Sequence, residues 1–254
     1  MKLDCVLTAV NDNPLYLDFI PIFIKTWNKL YPKVDVKIVL IAHEIPTAFL
    51  EYKDNIILFQ PIENVLTSFT SQYIRLLYPC ILNYKNGIMI TDMDMLPMNR
   101  TYYTENIKEY DDNKFIYLRE NVCFNQNQIA MCYNVAHANV WKSIFNINNV
   151  EDIRDRIKTV SMNNLIREGH GNVGWSIYQC DLYKNVMNWN KETSNLVCVN
   201  EEKAKFKRLD RGKDVDLSNE SLRKNITDGI YSDYHCERPM SKHSKTNYEI
   251  YDLL

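Results

Sequence analysis

The chain has 254 residues, of which 46% are hydrophobic and 24% are charged, and its formal net charge is −2. This composition is ordinary for a globular protein that buries a sizeable core. The near-neutral charge excludes a general attraction for nucleic acid, so an anionic substrate has to be held by local cations or by a metal ion.

Strand and helix patterns alternate through the first 95 residues. Short apolar runs predict strands at residues 5–10, 34–41, 55–59 and 88–91. A helical pattern spans about residues 15–30, and Pro21 inside it predicts that the helix begins or kinks there. A second helix, opened by Thr67 or Ser68 as its N-cap, continues to about Ile81. The alternation predicts an α/β, Rossmann-like fold with a mostly parallel central sheet flanked by helices.

The second half of the chain is less regular. Further strands are predicted at residues 114–118, 128–133 and 196–199, and helices at residues 137–145, 150–166 and 175–187. Residues 168–174 form a glycine-containing loop, and residues 201–228 are charged and expected to be exposed. Because no linker, repeat or low-complexity segment interrupts the chain, a single domain over residues 1–254 is predicted.

The N-terminus and the cysteines predict a cytoplasmic, reduced protein. The first residues run directly into a strand without a signal-peptide pattern, and no apolar run reaches the ~20 residues of a membrane span. The seven cysteines form no C-x-x-C pair. They therefore predict reduced thiols rather than disulfides or structural zinc.

The segment Asp92-Met93-Asp94 directly follows the apolar strand at residues 88–91. In an extended backbone, residues i and i+2 point to the same side, roughly 7 Å apart. Both carboxylates can therefore reach one hard divalent cation, such as Mg²⁺ or Mn²⁺, that also binds substrate phosphates. A second copy, Asp214-Val215-Asp216, has no strand before it and is interpreted as a solvated loop. The first copy lies where a core strand meets a loop, the usual ligand position in open α/β sheets.

The region around this pair resembles a known family. A helix containing Tyr73-Ile74-Arg75-Leu76 is followed by Pro79 and by the strand that ends in Asp92-Met93-Asp94. This arrangement resembles the GT-A glycosyltransferases, most closely their retaining, LgtC/glycogenin-like branch. The match covers residues 72–95, with looser support from residues 5–13. It implies a single GT-A domain, with a nucleotide-sugar-binding half at 1–95 and an acceptor-binding half at 96–254.

The resemblance also implies a chemistry. The donor would be a nucleoside-diphosphate sugar, most often a UDP-sugar, and the acceptor a glycan or other hydroxyl. Asp92 and Asp94 would bind Mn²⁺, or Mg²⁺, with Met93 beside the donor. Arg75 would act in catalysis by contacting Asp92 or the donor; the alternative is a surface arginine on a helix. The physical logic is independent of the family, because a Lewis acid stabilises the charge that develops on a leaving diphosphate.

The stretch from Tyr231 to Lys242 is a second point of resemblance. In this branch a late histidine supplies the third metal ligand, and a lysine shortly after it contacts the diphosphate. His235 and Lys242 occupy those positions here, although the family's glycine and Lys-Pro-Trp ending are absent. His243 or Lys245 are alternatives to Lys242. His235 is otherwise an ordinary, half-buried histidine at the end of a strand.

Further donor and acceptor positions are implied by the same resemblance. The first strand and turn would contact the nucleoside through Ala9, Val10, Asn11 and Asp12, with Thr8 and Asn13 as further candidates. Asn134 would lie near the donor sugar. His137 would contact the sugar or, as we favour, open the helix that follows it.

The segment from Trp175 to Asp181 parallels the family's Asp-Gln-Asp segment and keeps only Gln179 and Asp181. Gln179 would bind the donor. Asp181 would stabilise an oxocarbenium-like transition state or position the acceptor; the alternative is a helix-surface aspartate. Trp175 would stack on a sugar ring or belong to the core.

Two other functions remain open. One is a noncatalytic protein that binds nucleotide sugars or carbohydrates. The other is a sugar nucleotidyltransferase, which is disfavoured because residues 11–14 lack the glycine-rich, basic loop that such enzymes carry after the first strand. Retention of the anomeric configuration is expected from the resemblance alone.

Overall fold

The computed structural model describes residues 1–122, 124–167, 169, 171–212 and 215–254. Ten strands are described: β1 Leu3–Asn11, β2 Asp35–Ile41, β3 Ile56–Phe59, β4 Gly87–Ile90, β5 Met95–Pro97, β6 Phe115–Tyr117, β7 Asn134–His137, β8 Leu196–Cys198, β9 Arg208–Leu209 and β10 Asp233–His235. Nine α-helices are described: α1 Pro14–Leu17, α2 Ile20–Leu30, α3 Thr67–Leu77, α4 Tyr102–Glu105, α5 Ala138–Phe145, α6 Val150–Asn163, α7 Ile177–Thr193, α8 Glu220–Thr227 and α9 Met240–Leu253.

Seven strands form the main sheet, in the order β3-β2-β1-β4-β7-β6-β8. The pairs among β3, β2, β1 and β4 are parallel, as is the pair β6–β8, whereas β7 is antiparallel to both of its neighbours. A second sheet has the order β5-β10-β9, with β10 antiparallel to β5 and parallel to β9. The predicted α/β fold with a mostly parallel central sheet is therefore confirmed.

Both faces of the main sheet are covered. One apolar cluster includes Val6 of β1 and Trp27 of α2, and the other includes Leu7 of β1 and Trp141 of α5. Successive residues of β1 thus enter opposite core layers, as the pleat of a strand requires. Strands buried on both faces are read from sequence as continuous apolar runs, which is why residues 88–90 predicted a core strand.

The path of the chain creates a switch point between β1 and β4. From β1 the chain adds β2 and then β3 on one side, and it then crosses to place β4 on the other side of β1. In open α/β sheets, a crevice opens at the carboxyl ends of strands where the direction of winding reverses. Asn11 ends β1 and Asp92 follows β4, so both lie at this crevice.

Several predicted boundaries in the first half need correction. The break near Pro21 is confirmed, because α1 ends at Leu17 and Pro21 lies in the first turn of α2. The second helix ends at Leu77 and continues as a 3-10 turn containing Pro79, since proline cannot extend an α-helix. Neither Thr67 nor Ser68 is the N-cap. That position is Leu66, and the Thr67 hydroxyl instead accepts a hydrogen bond from the Asn11 side chain.

The second half departs further from the sequence prediction. Residues 128–133 form no strand; β7 begins at Asn134, whose side-chain amide donates to the carbonyls of Ala130 and Met131 and holds that segment as a loop. The charged stretch at 201–228 contains β9 and α8. Helix α6 ends at Asn163 and α7 begins at Ile177.

The six cysteines that the structure describes are unpaired thiols, and Cys123 lies outside the described residues. None of the helices in the described part of the chain combines the length and the apolar character needed to cross a bilayer.

Candidate active site

A cavity of about 580 Å³ opens at the carboxyl ends of β1 and β4. Its walls come from the end of β1, from α1 and α3, from the segment after β4, and from the start of α7. The segment after β9, the end of β10 and the segment after β10 complete them. The predicted site segments from both halves of the chain therefore meet at one crevice.

Arg75 links helix α3 to the first aspartate of the pair. Its side chain is almost fully buried, and Nη1 donates to the carbonyl of Thr91 at 3.0 Å and to the Asp92 carboxylate. The guanidinium also lies over the ring of Tyr178, 6.0 Å from its centroid. A guanidinium held by a backbone carbonyl, a carboxylate and an aromatic ring is fixed in orientation, which in turn fixes Asp92.

Asp94 has a different environment. Only 4% of the residue is exposed, and its Oδ2 atom lies 3.2 Å from Arg211 Nη1, 3.4 Å from Arg238 Nη1 and 3.5 Å from His235 Nε2. Burial raises the pKa of Asp94, but His235, Arg238 and Arg211 outweigh burial and hold this pKa below its ordinary value. Asp94 is therefore an ionised carboxylate with several cationic neighbours.

His235 reaches Asp94 through the small sheet. In the antiparallel pairing of β10 with β5, His235 lies opposite Met95, the residue after Asp94. The backbone N–H of Cys236 also donates to the Asp94 carbonyl at 2.9 Å. These contacts bring together two side chains that lie far apart in the sequence.

Asp210 determines how His235 presents its ring. His235 Nδ1 lies 2.6 Å from Asp210 Oδ1. Because an ionised carboxylate only accepts, Nδ1 donates to Asp210, and Nε2 is the ring nitrogen that faces Asp94. A carboxylate behind the second ring nitrogen is the usual way in which proteins orient a metal-binding histidine.

The side chains around Asp94 supply only some of the ligands that a hard or borderline cation needs. Among the described residues, no group of three His, Cys, Asp or Glu side chains is gathered closely enough to hold a metal ion. Asp94 and His235 supply one carboxylate and one imidazole, a combination that suits Mn²⁺, and their 3.5 Å separation allows both to bind one ion. Asp92 instead faces Arg75. Such a two-ligand site is consistent with a cation that also binds substrate phosphates.

Many of the predicted donor-binding residues line the cavity. They are Ala9, Val10, Asn11, Asn13, Arg75, Asp92, Met93, Trp175 and Gln179. Asp12 and Lys242 do not; both are exposed, and Lys242 lies in the first turn of α9. The alternatives His243 and Lys245 are not on the cavity wall either.

Three other predicted residues have structural partners instead. Asn134 is fully buried, and its amide holds the loop before β7. Asp181 accepts a hydrogen bond from the Tyr73 hydroxyl at 2.7 Å, which ties α7 to α3 outside the cavity wall. His137 is the N-cap of α5, with Nδ1 accepting from the N–H of Asn139, as we favoured.

Several lining residues were not predicted from the sequence, and those with aromatic or charged side chains are Tyr16, Tyr178, Arg211 and Arg238. Arg211 lies in the charged stretch at 201–228, which was expected to be exposed. Arg238 lies between His235 and Lys242, which the resemblance had already assigned. The sequence signal that could have identified these two arginines was the place of Arg211 in the charged stretch and of Arg238 near His235. The predictions for residues 168–174 and for Asp214 fall partly outside the described residues, since Glu168, His170 and Asp214 are among those not described.

Comparison with known proteins shows the fold. No family model matches the sequence, and no curated protein matches it. The structure of the galactosyltransferase LgtC in complex with donor and acceptor sugar analogs is 11% identical, with a TM-score of 0.51, over 98% of this chain and 96% of LgtC. A structure of an active-site mutant of LgtC gives a TM-score of 0.50 at 11% identity, over 98% of this chain and 94% of that chain.

A third structure is more distant. The glycosyltransferase GlyE of Streptococcus pneumoniae TIGR4 is 16% identical, with a TM-score of 0.47, over 80% of this chain. This chain spans 46% of the length of GlyE. The likeness to LgtC over nearly the full length of both chains confirms the predicted GT-A fold.

Proposed function

We propose that this protein is a metal-dependent glycosyltransferase. It transfers a sugar from a nucleoside-diphosphate sugar, in our proposal a UDP-sugar, to a glycan or other hydroxyl acceptor, with retention of configuration. The observation that carries the proposal is the convergence of Arg75, Asp92, Asp94 and His235 on one cavity at the β1/β4 switch point of a GT-A fold.

The proposed donor position follows the walls of the cavity. The nucleoside lies along residues 9–11 at the end of β1, and the diphosphate lies between the Asp92–Asp94 segment and His235. Asp94 and His235 would hold Mn²⁺ together with Asp92, and the bound cation would supply Lewis-acid stabilisation of the leaving diphosphate. Arg75 binds Asp92 Oδ1 and thereby fixes the orientation of this carboxylate.

Gln179 is the better placed of the two residues proposed for the sugar's reacting face. It lines the cavity, whereas Asp181 binds the Tyr73 hydroxyl. We therefore assign the stabilisation of oxocarbenium-like charge to the side-chain carbonyl of Gln179, because an amide oxygen carries a partial negative charge. Asp181 acts in this proposal as a positioning residue that keeps α7 against α3.

A donor screen tests the proposal. A panel of UDP- and GDP-sugars is incubated with the protein and Mn²⁺, and released nucleoside diphosphate is measured with and without a chelator. We expect release from at least one donor, loss of release with chelator, and loss in Asp94→Asn. The matched control is Asp216→Asn, which changes an exposed aspartate bonded to Ser218 and should keep wild-type release.

The rival is a noncatalytic protein that binds nucleotide sugars. It is favoured by one observation: Asp94 already has arginine partners, and no third described ligand joins Asp94 and His235. Calorimetry separates the two functions. Chelator-sensitive UDP binding with no turnover of any donor and acceptor would support the rival, and turnover would exclude it.

A further inference from the structure

Two arginines line the cavity without a role in the proposed chemistry. Arg211 follows β9 and Arg238 follows β10, and their side chains are 27% and 20% exposed. Both guanidiniums approach the same oxygen, Oδ2 of Asp94. They follow different strands of the small sheet, so their convergence depends on the pairing of β9 with β10.

Contacts other than those with Asp94 hold Arg238 and the turn that carries Arg211 in place. The guanidinium of Arg238 stacks over the Tyr16 ring, 5.1 Å from its centroid, and Nη1 also donates to the Tyr16 hydroxyl. The turn that carries Arg211 is fixed at its end, where the N–H of Gly212 donates to the Glu237 carboxylate at 2.5 Å. Both cations are therefore presented to the cavity rather than to bulk solvent.

Charge balance explains why they lie on Asp94. A buried carboxylate without a compensating charge is strongly destabilising. A guanidinium has five N–H donors, and a planar fork of this kind also matches the oxygens of a phosphate. The arginines can thus leave Asp94 only when another cation takes their place there and another anion takes up their charge.

The donor in the proposed function brings both of these charges. A divalent cation competes with the guanidiniums for Asp94 Oδ2, and the diphosphate offers them new acceptors. No described lining residue is a lysine, and Lys242 is exposed away from the cavity. The third lining arginine, Arg75, is engaged by Thr91 and Asp92.

We propose that Arg211 and Arg238 form the diphosphate-binding site and that they exchange Asp94 for the diphosphate when a divalent cation binds Asp94. This inference rests on the proposed function. The exchange makes the cation and the diphosphate bind cooperatively, because each one removes a cost that the other would face alone.

Removing both arginines should change the affinity for Mn²⁺ and the affinity for a diphosphate in opposite directions. In the double variant Arg211→Gln/Arg238→Gln, Mn²⁺ alone should bind several-fold more tightly, because its competitors at Asp94 are gone. With Mn²⁺ present, UDP, GDP and inorganic pyrophosphate should bind about 10- to 100-fold more weakly, as expected for the loss of charged hydrogen bonds. Mn²⁺ binding is followed by electron paramagnetic resonance and the diphosphates by calorimetry. The matched control is Arg223→Gln, an arginine paired with Glu249 away from the cavity.

The alternatives give different patterns. If Mn²⁺ and diphosphate affinity both fall in the double variant, the arginines are structural and the inference is overturned. It is also overturned if the diphosphates bind wild type and the double variant equally. If no probe binds wild type with Mn²⁺, the proposed function fails as well. Should the double variant not fold, Arg211→Lys and Arg238→Lys replace it. They keep the charge, but they lose the fork, so diphosphate affinity should still fall.

Discussion

The two walls of the cavity hold their charges in different ways. On the wall built from the parallel sheet, Arg75 binds a backbone carbonyl and one carboxylate, so one cation meets one anion in a fixed geometry. On the wall built from the small sheet, two arginines and one histidine approach a single oxygen of Asp94. The first arrangement is suited to holding a residue in place. The second is suited to an exchange of partners when a ligand binds.

The largest effect should separate the two aspartates. Asp94→Asn removes the anionic ligand beside His235, and we expect kcat/KM for donor hydrolysis to fall by about 10³-fold. Asp92→Asn keeps an oxygen that accepts from Arg75, so we expect a smaller loss, about 10²-fold. Both values come from steady-state kinetics at saturating Mn²⁺. Equal losses would remove the distinction between the two walls.

A change on the parallel-sheet wall should affect stability as well as activity. Arg75→Met leaves Asp92 without its partner and breaks a partly buried ion pair, so we expect the free energy of unfolding to fall by about 2 kcal/mol. Urea unfolding measures this loss. Arg211→Met leaves Asp94 with Arg238 and His235 still beside it, and it should cost much less. A similar loss in both variants would contradict the comparison.

On the small-sheet wall, a substitution of Asp210 tests whether this residue orients His235. Asp210→Asn weakens the hold on Nδ1, and we expect Mn²⁺ affinity to fall by about 10-fold while the protein keeps its stability, because Asp210 is exposed. Metal titration and thermal unfolding measure the two quantities. Asp216→Asn again serves as the control, and unchanged metal affinity in Asp210→Asn would exclude His235 as an oriented ligand.

The smallest effect concerns Tyr16. Tyr16→Phe keeps the ring under Arg238 and removes only the hydroxyl that accepts from it. We expect diphosphate affinity to fall by only about threefold, because the hydroxyl positions Arg238 and does not itself bind the ligand. Calorimetry with UDP and Mn²⁺ measures this change. A loss as large as that of Arg238→Gln would mean that Tyr16 itself contacts the ligand.

Site residues that lie close together in the sequence could be predicted, whereas those brought together from distant parts of the chain could not. Arg75, Asp92 and Asp94 lie within one helix–strand unit, so their spacing in the sequence reflects their spacing in space. His235 was reached only through a family resemblance. Lys242 was the lysine that the same resemblance selected for the diphosphate, and it lies on the exposed first turn of α9.

Hydrogen bonds to neighbouring elements account for the other differences between the predicted and the observed site. Asn134 and Asp181 carry the side chains expected for a sugar site, but their hydrogen bonds go to Ala130, Met131 and Tyr73. A polar side chain on one strand or helix can face the cavity or a neighbouring element. The local pattern is the same in both cases, because only packing decides between them.

The sequence by itself determined the parallel core and the Asp92–Asp94 pair at the end of β4, since apolar runs and their interruptions are local properties of the chain. The tertiary structure alone decided that Arg211 and Arg238 meet at Asp94. That meeting requires β9, β10 and β5 to pair side by side, and the pairing of strands so far apart in sequence is set by the packing of the whole domain.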